Sequence, residues 1–341
     1  MSDEVDDEKL DAKHLQRPLV SMLLIAYRQE HVIADAVRGA LAQTYTPLEI
    51  LISDDCSPDR TFDLIQQAVS GYTGPHRIVL NRNERNEGIA AHLSKLALMS
   101  RGDLLVVAAG DDISVPERCS RLVDVWFAHD RKPDLIASDL LELNAGAGNQ
   151  ARLSPTDLGS YRSIDDWLAH RPHLIGAAHA WSRRLFERFG AMMRGTMAED
   201  QIMTFRAIMS GGAISLREPL VMYRRGGLSG KRRSKSVDEF IARVRQTNQF
   251  ALAEVAQLLQ DAETAGVYAR MLDALAAKQA RENYTRDVFA ADRLSTQIGL
   301  MAKANRVKLG FRIRMFLYAA CPAIYVPFFA LKRWRAPKKS S

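Results

Sequence analysis

Through the first half of the chain, apolar residues come in short unbroken runs, and between the runs they recur at helical spacing. Residues 19–27 are almost wholly hydrophobic, as a strand buried on both faces requires. Val32, Ile33, Ala36, Val37, Ala40 and Leu41 then repeat at the interval of an amphipathic helix. A second strand is predicted over 48–53, ending in Asp54 and Asp55, and Ser57-Pro58-Asp59 offers a helix start with Ser as cap and Pro at the first helical position. A third strand over 76–80 leads through a polar loop, 81–88, to a helix from Ile89. A fourth over 104–109 leads through Gly110-Asp111-Asp112 to a helix opening at Pro116. This βαβα order predicts an α/β fold with a mainly parallel central sheet flanked by helices.

Beyond 135–143 the alternation becomes irregular. Residues 144–159 read as a loop rich in Gly and Ala. Helices are predicted near 165–170, 182–189 and 200–209, followed by a strand over 213–223. From about 237 to 294 the periodicity predicts two or three amphipathic helices. No internal repeat or low-complexity segment interrupts the chain. The domain boundaries expected are an acidic disordered leader over 1–16, an α/β domain over 17–235 in two halves (17–143 and 144–235), a helical C-terminal region over 236–308, and a tail over 309–341.

Composition changes this picture only in the tail. The chain has 341 residues, 47% hydrophobic and 26% charged, ordinary for a globular protein. Its net charge of +7 is unevenly placed: from Arg293 onward there are 11 Lys and Arg and no Asp or Glu, leaving 36 basic against 40 acidic residues before that point. With no basic excess in the body, nucleic acid is not the expected partner, and an anionic membrane surface is the simpler one for the tail. Residues 315–331 carry no charge, are bracketed by Lys and Arg, and are interrupted by Pro322 and Pro327. With seven aromatic residues between Phe311 and Trp334, the segment suits attachment at the lipid–water interface better than a span. The alternative is a buried helix hairpin or a contact in a homo-oligomer. Cys56, Cys119 and Cys321 lie far apart without metal-ligand spacing, and no signal peptide opens the chain. Together these suggest reduced thiols in a cytoplasmic protein, peripheral at the inner face of the membrane.

In open parallel sheets, ligands bind beyond the carboxyl ends of the strands. That edge should collect Ala26-Tyr27, Asp54-Asp55, Asn86-Glu87-Gly88 and Asp111-Asp112. Carboxylates there can accept hydrogen bonds from a base or ribose, or hold a hard divalent cation beside phosphates. An isolated Asp-Asp after a strand is more often a cap or turn. Two such pairs at successive strand ends shift that balance.

These residues carry a resemblance. The strand ending Ala26-Tyr27, then Gln43-Thr44-Tyr45, Glu49-Ile50 and the stretch Asp54-Asp55-Cys56-Ser57-Pro58-Asp59-Arg60-Thr61 resemble the opening of family 2 glycosyltransferases, inverting enzymes of the GT-A nucleotide-diphospho-sugar transferase fold. Gly usually stands at the position of Cys56. Asn86-Glu87-Gly88-Ile89, Gly102-Asp103-Leu104 and Gly110-Asp111-Asp112 with Pro116 continue the likeness. The resemblance implies a nucleotide-sugar donor, UDP- or dTDP-linked, bound in the half over 17–143 by Ala26, Tyr27, Glu30, Asp55, Asn86, Gly88 and Asp111, with Arg224 joining from the other half. It places Asp55 on the nucleobase, and Asp112 on a Mg or Mn ion beneath the diphosphate. In the acceptor half, over 144–235, Glu199-Asp200 resembles the family's acidic pair, with Asp200 as general base and Glu199 helping to bind a glycan or lipid-linked acceptor. The residues alone equally allow two acids favouring a helix N-terminus. A basic loop, Tyr223-Arg224-Arg225 with 229–233, resembles the segment that closes over a diphosphate, and reads otherwise as a solvated charge run. His173, His179 and Trp181 fall where acceptor contacts occur in the family, though packing is the commoner use of such residues. Other readings are a non-catalytic sugar-nucleotide sensor or scaffold, and a nucleotidyltransferase, whose Gly-rich loop after the first strand has no counterpart in residues 26–30.

Overall fold

The computed structural model describes residues 17–143, 151–226, 234 and 236–327. The unbroken apolar run becomes β1 (Val20–Ala26), paired in parallel with β2 (Leu48–Asp54) on one side and β4 (Leu104–Ala109) on the other. β2 pairs in turn with β3 (Arg77–Arg82). The crossovers are α1 (Ile33–Leu41), α2 (Thr61–Val69) and α3 (Ile89–Met99). Met22, Leu24, Ile50, Ile52 and Val106 meet Val37 and Ile65 of α1 and α2 in one continuous core, which is why these strands tolerate so few polar residues.

Past β4 the regular alternation of strand and helix ends. β5 (Ile113–Ser114), α4 (Arg118–Ala128), β6 (Leu135–Glu142), β7 (Arg152–Leu153), α5 (Ile164–Ala169), β8 (His179–Ser182), α6 (Arg183–Phe189), α7 (Glu199–Ile208) and β9 (Ala213–Tyr223) follow, with 3₁₀ turns at Leu158–Ser160 and Gly176–Ala178. The strand order is β3-β2-β1-β4-β8-β6-β9-β5, with β7 also paired to β6. β8 runs antiparallel to both β4 and β6, whereas β6 and β9 form a long parallel pair. The sheet is mixed and mostly parallel.

Several local expectations are corrected. The helix after β2 begins at Thr61 instead of Pro58; Ser57 Oγ, in place of capping, accepts from Arg28 N and donates to Asp54. The helix expected from Pro116 starts at Arg118, and the first residue of the one expected over 182–189 closes β8 instead. Within the loop expected over 144–159, Arg152–Leu153 pairs with Leu140 and Leu141, and Arg152 Nε donates to Asp139 at 2.7 Å. Residues 144–150 lie outside those described, as do 1–16, 227–233 and 328–341.

By compactness the chain divides into two units, Met1–Arg194 with Ala198–Gly227, and Gly195–Met197 with Leu228–Ser341. The second contains α8 (Val237–Thr264), α9 (Tyr268–Ala290), α10 (Leu294–Lys303) and α11 (Leu309–Ala320). Tyr284, Val288, Val307 and Met315 form its small core, against which Phe311, Tyr318 and Ala319 pack. The start of the expected tail is thus built into this unit. Tyr284 Oη donates to the Arg312 carbonyl at 2.8 Å, and the Arg312 guanidinium donates to the Met301 carbonyl at 2.7 Å.

At the amino ends of the strands a buried polar knot replaces apolar packing. Ser21 Oγ donates to Glu49 Oε1 at 2.6 Å and accepts from Gly102 N at 2.7 Å, while Arg77 reaches Glu49 Oε2 at 2.7 Å. A Cβ on Gly102 would stand 2.5 Å from Ser21 N and Oγ, a collision with backbone that no side-chain rotation relieves. Gly102→Ala should therefore destabilise the protein by about 1–3 kcal/mol, read as a lower urea midpoint. Gly71→Ala, where an added Cβ meets nothing within 4 Å, should stay within about 0.5 kcal/mol of the parent.

Candidate active site

The carboxyl ends of β1, β2 and β4 lie side by side. The Ala26 carbonyl accepts from Asp55 N at 2.9 Å, and the Ile25 carbonyl accepts from Gly110 N at 2.9 Å. A Cβ on Gly110 would come within 2.4 Å of Gln29 Oε1 and 3.0 Å of Ala26 Cβ, so the missing side chain lets the β4 turn close onto β1. Beyond β1 the chain is held by side chains of the next loop. Arg28, at φ 54°, donates its N–H to Ser57 Oγ, Gln29 N donates to Thr61 Oγ1, and Arg60 N donates to Glu30. Glu30 is thus tied to the 57–61 turn, and half-buried Tyr27 lies under the Arg28 guanidinium.

Asp54 and Asp55 divide the work at the end of β2. Asp54 is fully buried and accepts from Ser57 N and Oγ. Cys56 follows at φ 60°, a left-handed conformation that Gly adopts at least cost. Asp55 Oδ1 accepts from Asn83 Nδ2 and Glu87 N, both at 2.8 Å, and Oδ2 accepts from Gly88 N at 2.9 Å. Asn86 Nδ2 donates to the Asp55 carbonyl. The carboxylate therefore gathers the whole β3–α3 loop around itself while Oδ2 keeps lone-pair capacity. Behind it, His92 meets Ser53 Oγ at 2.6 Å, and Asn81 donates to the same hydroxyl. Burial drives His92 down to about 4, so it stays neutral.

After β4, Gln29 hydrogen-bonds Asp111, whose carboxyl is raised above the usual range by burial. Asp112 is pushed up to about 7, chiefly by burial and further by the charge of Asp111. Arg224, at the end of β9, brackets this turn: its N–H donates to Asp112 Oδ1 at 2.8 Å, and its Nε donates to the Asp111 carbonyl at 3.1 Å. Arg225 turns away and pairs with Glu142 at 2.9 Å. The basic stretch 229–233 lies outside the described residues.

Arg118 has no signal in the sequence that separates it from a surface cation at a helix start. It is buried, and donates to Ser114 Oγ and to the carbonyls of Val107 and Ala177. It joins β4 and β5 to the 3₁₀ turn Gly176–Ala178. On that turn rests Glu199: a Cβ on Gly176 would stand 2.4 Å from Glu199 Oε1. Glu199 and Asp200 open α7, which has no side-chain cap. Both are raised, Glu199 to about 8 by burial and then by the charge of Asp200, and Asp200 chiefly by burial. Exposed His173 lies near enough to Asp200 to oppose its rise.

The expectation of acceptor contacts from His179 and Trp181 is corrected. Both side chains are fully buried in β8, and His179 is lowered to about 3 by burial and by Arg118. Among the described residues neither His179 ring nitrogen nor Trp181 Nε1 finds a hydrogen-bond partner.

Among the described residues no group of three or more His, Cys, Asp and Glu could hold a metal ion. Asp111 and Asp112 nonetheless fit a hard divalent cation. They are adjacent oxygen donors whose charges are mutually costly and poorly solvated, and such ions commonly take one or two carboxylates with phosphate oxygens and water.

The model of "Glycosyl transferase family 2" matches residues 21–188. EpsE of Bacillus subtilis (strain 168) is 29% identical over 139 residues, 41% of this chain and 49% of EpsE, so this chain spans about half of that relative. The succinoglycan biosynthesis protein ExoO of Rhizobium meliloti (strain 1021) is 28% identical over 266 residues, 71% of this chain and 72% of ExoO. The crystal structure of S. aureus TarS 1–349 in complex with UDP-GlcNAc shares the fold, with a TM-score of 0.54 at 14% identity over 94% of this chain and 93% of that one. Strand order, the acidic turns after β2 and β4 and the family match agree: residues 21–188 of the chain belong to glycosyl transferase family 2.

Proposed function

We propose that the protein is an inverting glycosyltransferase, moving a sugar from a UDP- or dTDP-linked donor to a hydroxyl of a lipid-linked or surface glycan precursor. The observation that carries this reading is the Asp111-Asp112 turn, buried at the end of β4 and bracketed by Arg224. The similarity to a succinoglycan biosynthesis protein supports a glycan acceptor.

In this reading the nucleoside sits against Ala26, Tyr27, Glu30 and the β3–α3 loop with Asn86 and Gly88, and a base N–H donates to the free capacity of Asp55 Oδ2. Asp111 faces the ribose or donor sugar, and Arg224 lies beside the diphosphate. A divalent cation, Mg or Mn, held by Asp112 would offset the charge that accumulates on the departing diphosphate. Asp200 takes the acceptor hydroxyl proton as that oxygen bonds to the anomeric carbon. The bond from that carbon to the diphosphate breaks on the opposite face, its electron pair leaving with the diphosphate, so the configuration inverts. Glu199, neutral at physiological pH, orients the acceptor through hydrogen bonds.

Asp112→Asn keeps an oxygen for the Arg224 N–H and should fold, yet lose turnover on the order of 10²–10³-fold, the range for deleting a preorganised electrostatic contact. Nucleoside diphosphate release across a Mn titration measures it, and normal turnover at every concentration would remove Asp112 from this role. Asp200→Asn should depress transfer by on the order of 10²–10⁴-fold, the usual contribution of a general base, while donor affinity by calorimetry is nearly intact. A loss of affinity at unchanged rate would make Asp200 a binding residue.

The pair also sets a pH profile. Because Asp200 is raised, transfer should fall as pH drops through a value above the usual aspartate range, where the base takes up its proton. Glu199 is still neutral there, so Glu199→Gln should leave that acid limb in place. Wild type should lose activity again on the alkaline side as Glu199 ionises, and the Gln variant should not. A rate–pH series on both proteins reads the two limbs, and an acid limb that moves with Glu199→Gln would reverse the assignment.

A further inference from the structure

The last helices of the second unit pack on one side only. On α11, Phe311, Met315 and Tyr318 face the core around Tyr284 and Val288, while Leu309 and Ile313, one turn apart, are 58% and 42% exposed. α10 repeats the arrangement. Gln297 is buried and Leu300 joins the core, whereas Leu294 and Ile298, again one turn apart, are 56% and 47% exposed. After α11, the 3₁₀ turn Pro322–Tyr325 leaves Ile324 exposed, and Val326 follows it. Single exposed aliphatic residues are ordinary, but pairs in helical register on successive helices are not.

Charge identifies what covers them. No Asp or Glu occurs after Asp292, and Lys303, Arg306 and Lys308 stand exposed in and around the turn between the two helices. A two-fold dimer through this face would bring each cationic surface against its own copy, which like charges oppose. An anionic bilayer meets both features, taking aliphatic side chains into its interface and cations against its headgroups. Among the described residues no helix is long and apolar enough to cross a membrane. α11, with 12 residues, reaches only about 18 Å at 1.5 Å per residue, against a hydrocarbon core of about 30 Å.

We propose that α10, α11 and the turn after them form a membrane-surface element, lying in the interface of an anionic bilayer with Leu294, Ile298, Leu309, Ile313, Ile324 and Val326 inserted. This does not rest on the catalytic reading, and its test needs no sugar transfer.

The test is co-sedimentation of the full chain with vesicles of phosphatidylglycerol and phosphatidylcholine in equal parts, against phosphatidylcholine alone. The chain should sediment with the mixed vesicles and far less with the neutral ones. Leu309→Gln combined with Ile313→Gln should weaken partitioning by about tenfold or more, since each residue loses burial of an aliphatic side chain. Leu294→Gln with Ile298→Gln should act alike from the other helix, so the result does not hang on one pair. Thermal midpoints should hold in both variants, because the four side chains are exposed. Leu98→Gln, at an equally exposed leucine of the first unit, should leave binding unchanged. Failure to sediment with anionic vesicles, equal sedimentation of parent and both double variants, or a solution dimer that the Leu309/Ile313 variant dissociates would each overturn the proposal.

Discussion

A carboxyl group withdrawn from water must be met by donors or surrender its charge, and the first unit is organised around that demand. Asp54 is met by the 57–61 turn and Asp55 by the β3–α3 loop, each through two or three donors, and so they fix backbone. Asp112 and Glu199 are buried almost as deeply and are not met in this way; they rise to about 7 and about 8. Acids of the first kind build the cleft. Those of the second kind are stable only in company with something the chain itself does not supply, whether proton, cation or substrate. Parallel pairing of β1 with β2 and β4 brings the two kinds to one edge, and for that reason the strand ends matter more than the strands.

This part of the protein was largely legible in the sequence. β1, β2 and β4 are buried on both faces, so their apolar runs carry no ambiguous periodicity, and β2 and β4 end on acidic or glycine residues that mark a turn. What was not legible depended on tertiary choice. Ser57 has the chemistry of a cap, but its oxygen accepts from Arg28 N and its hydroxyl proton goes to Asp54. β5 and β7 have two residues each and β8 has four, too few for a period to register, and they exist because the edges of β9 and β6 and the gap between β4 and β6 need partners. His179 and Trp181 have the composition of a recognition surface, yet β8 lies between β4 and β6 and is buried on both faces, which encloses both.

The second unit shows a complementary weakness in sequence reading. The charge-free stretch 315–331, bracketed by Lys and Arg, reads in the sequence as an interfacial attachment, with a buried hairpin or an oligomer contact as the alternative. In the structure the residues of α11 are sorted by helical period. Phe311, Met315 and Tyr318 serve the core, Arg312 closes the carbonyl end of α10, and only the remaining positions are left to face outward. Hydropathy averaged along the segment cannot separate these uses, because both faces of α11 are apolar.

Arg118 has a consequence for how such a protein can diversify. By holding the Ala177 carbonyl against the end of β4, it pins one end of the irregular segment between β7 and β8. Asp139 pins the other through Arg152 and Ser154. Between these two points Leu158 and Trp167 are themselves fully buried, Trp167 against Phe205 of α7. The segment is thus a surface laid over its own anchors: its exposed positions can change with little cost to the chemistry beneath, while its buried ones cannot.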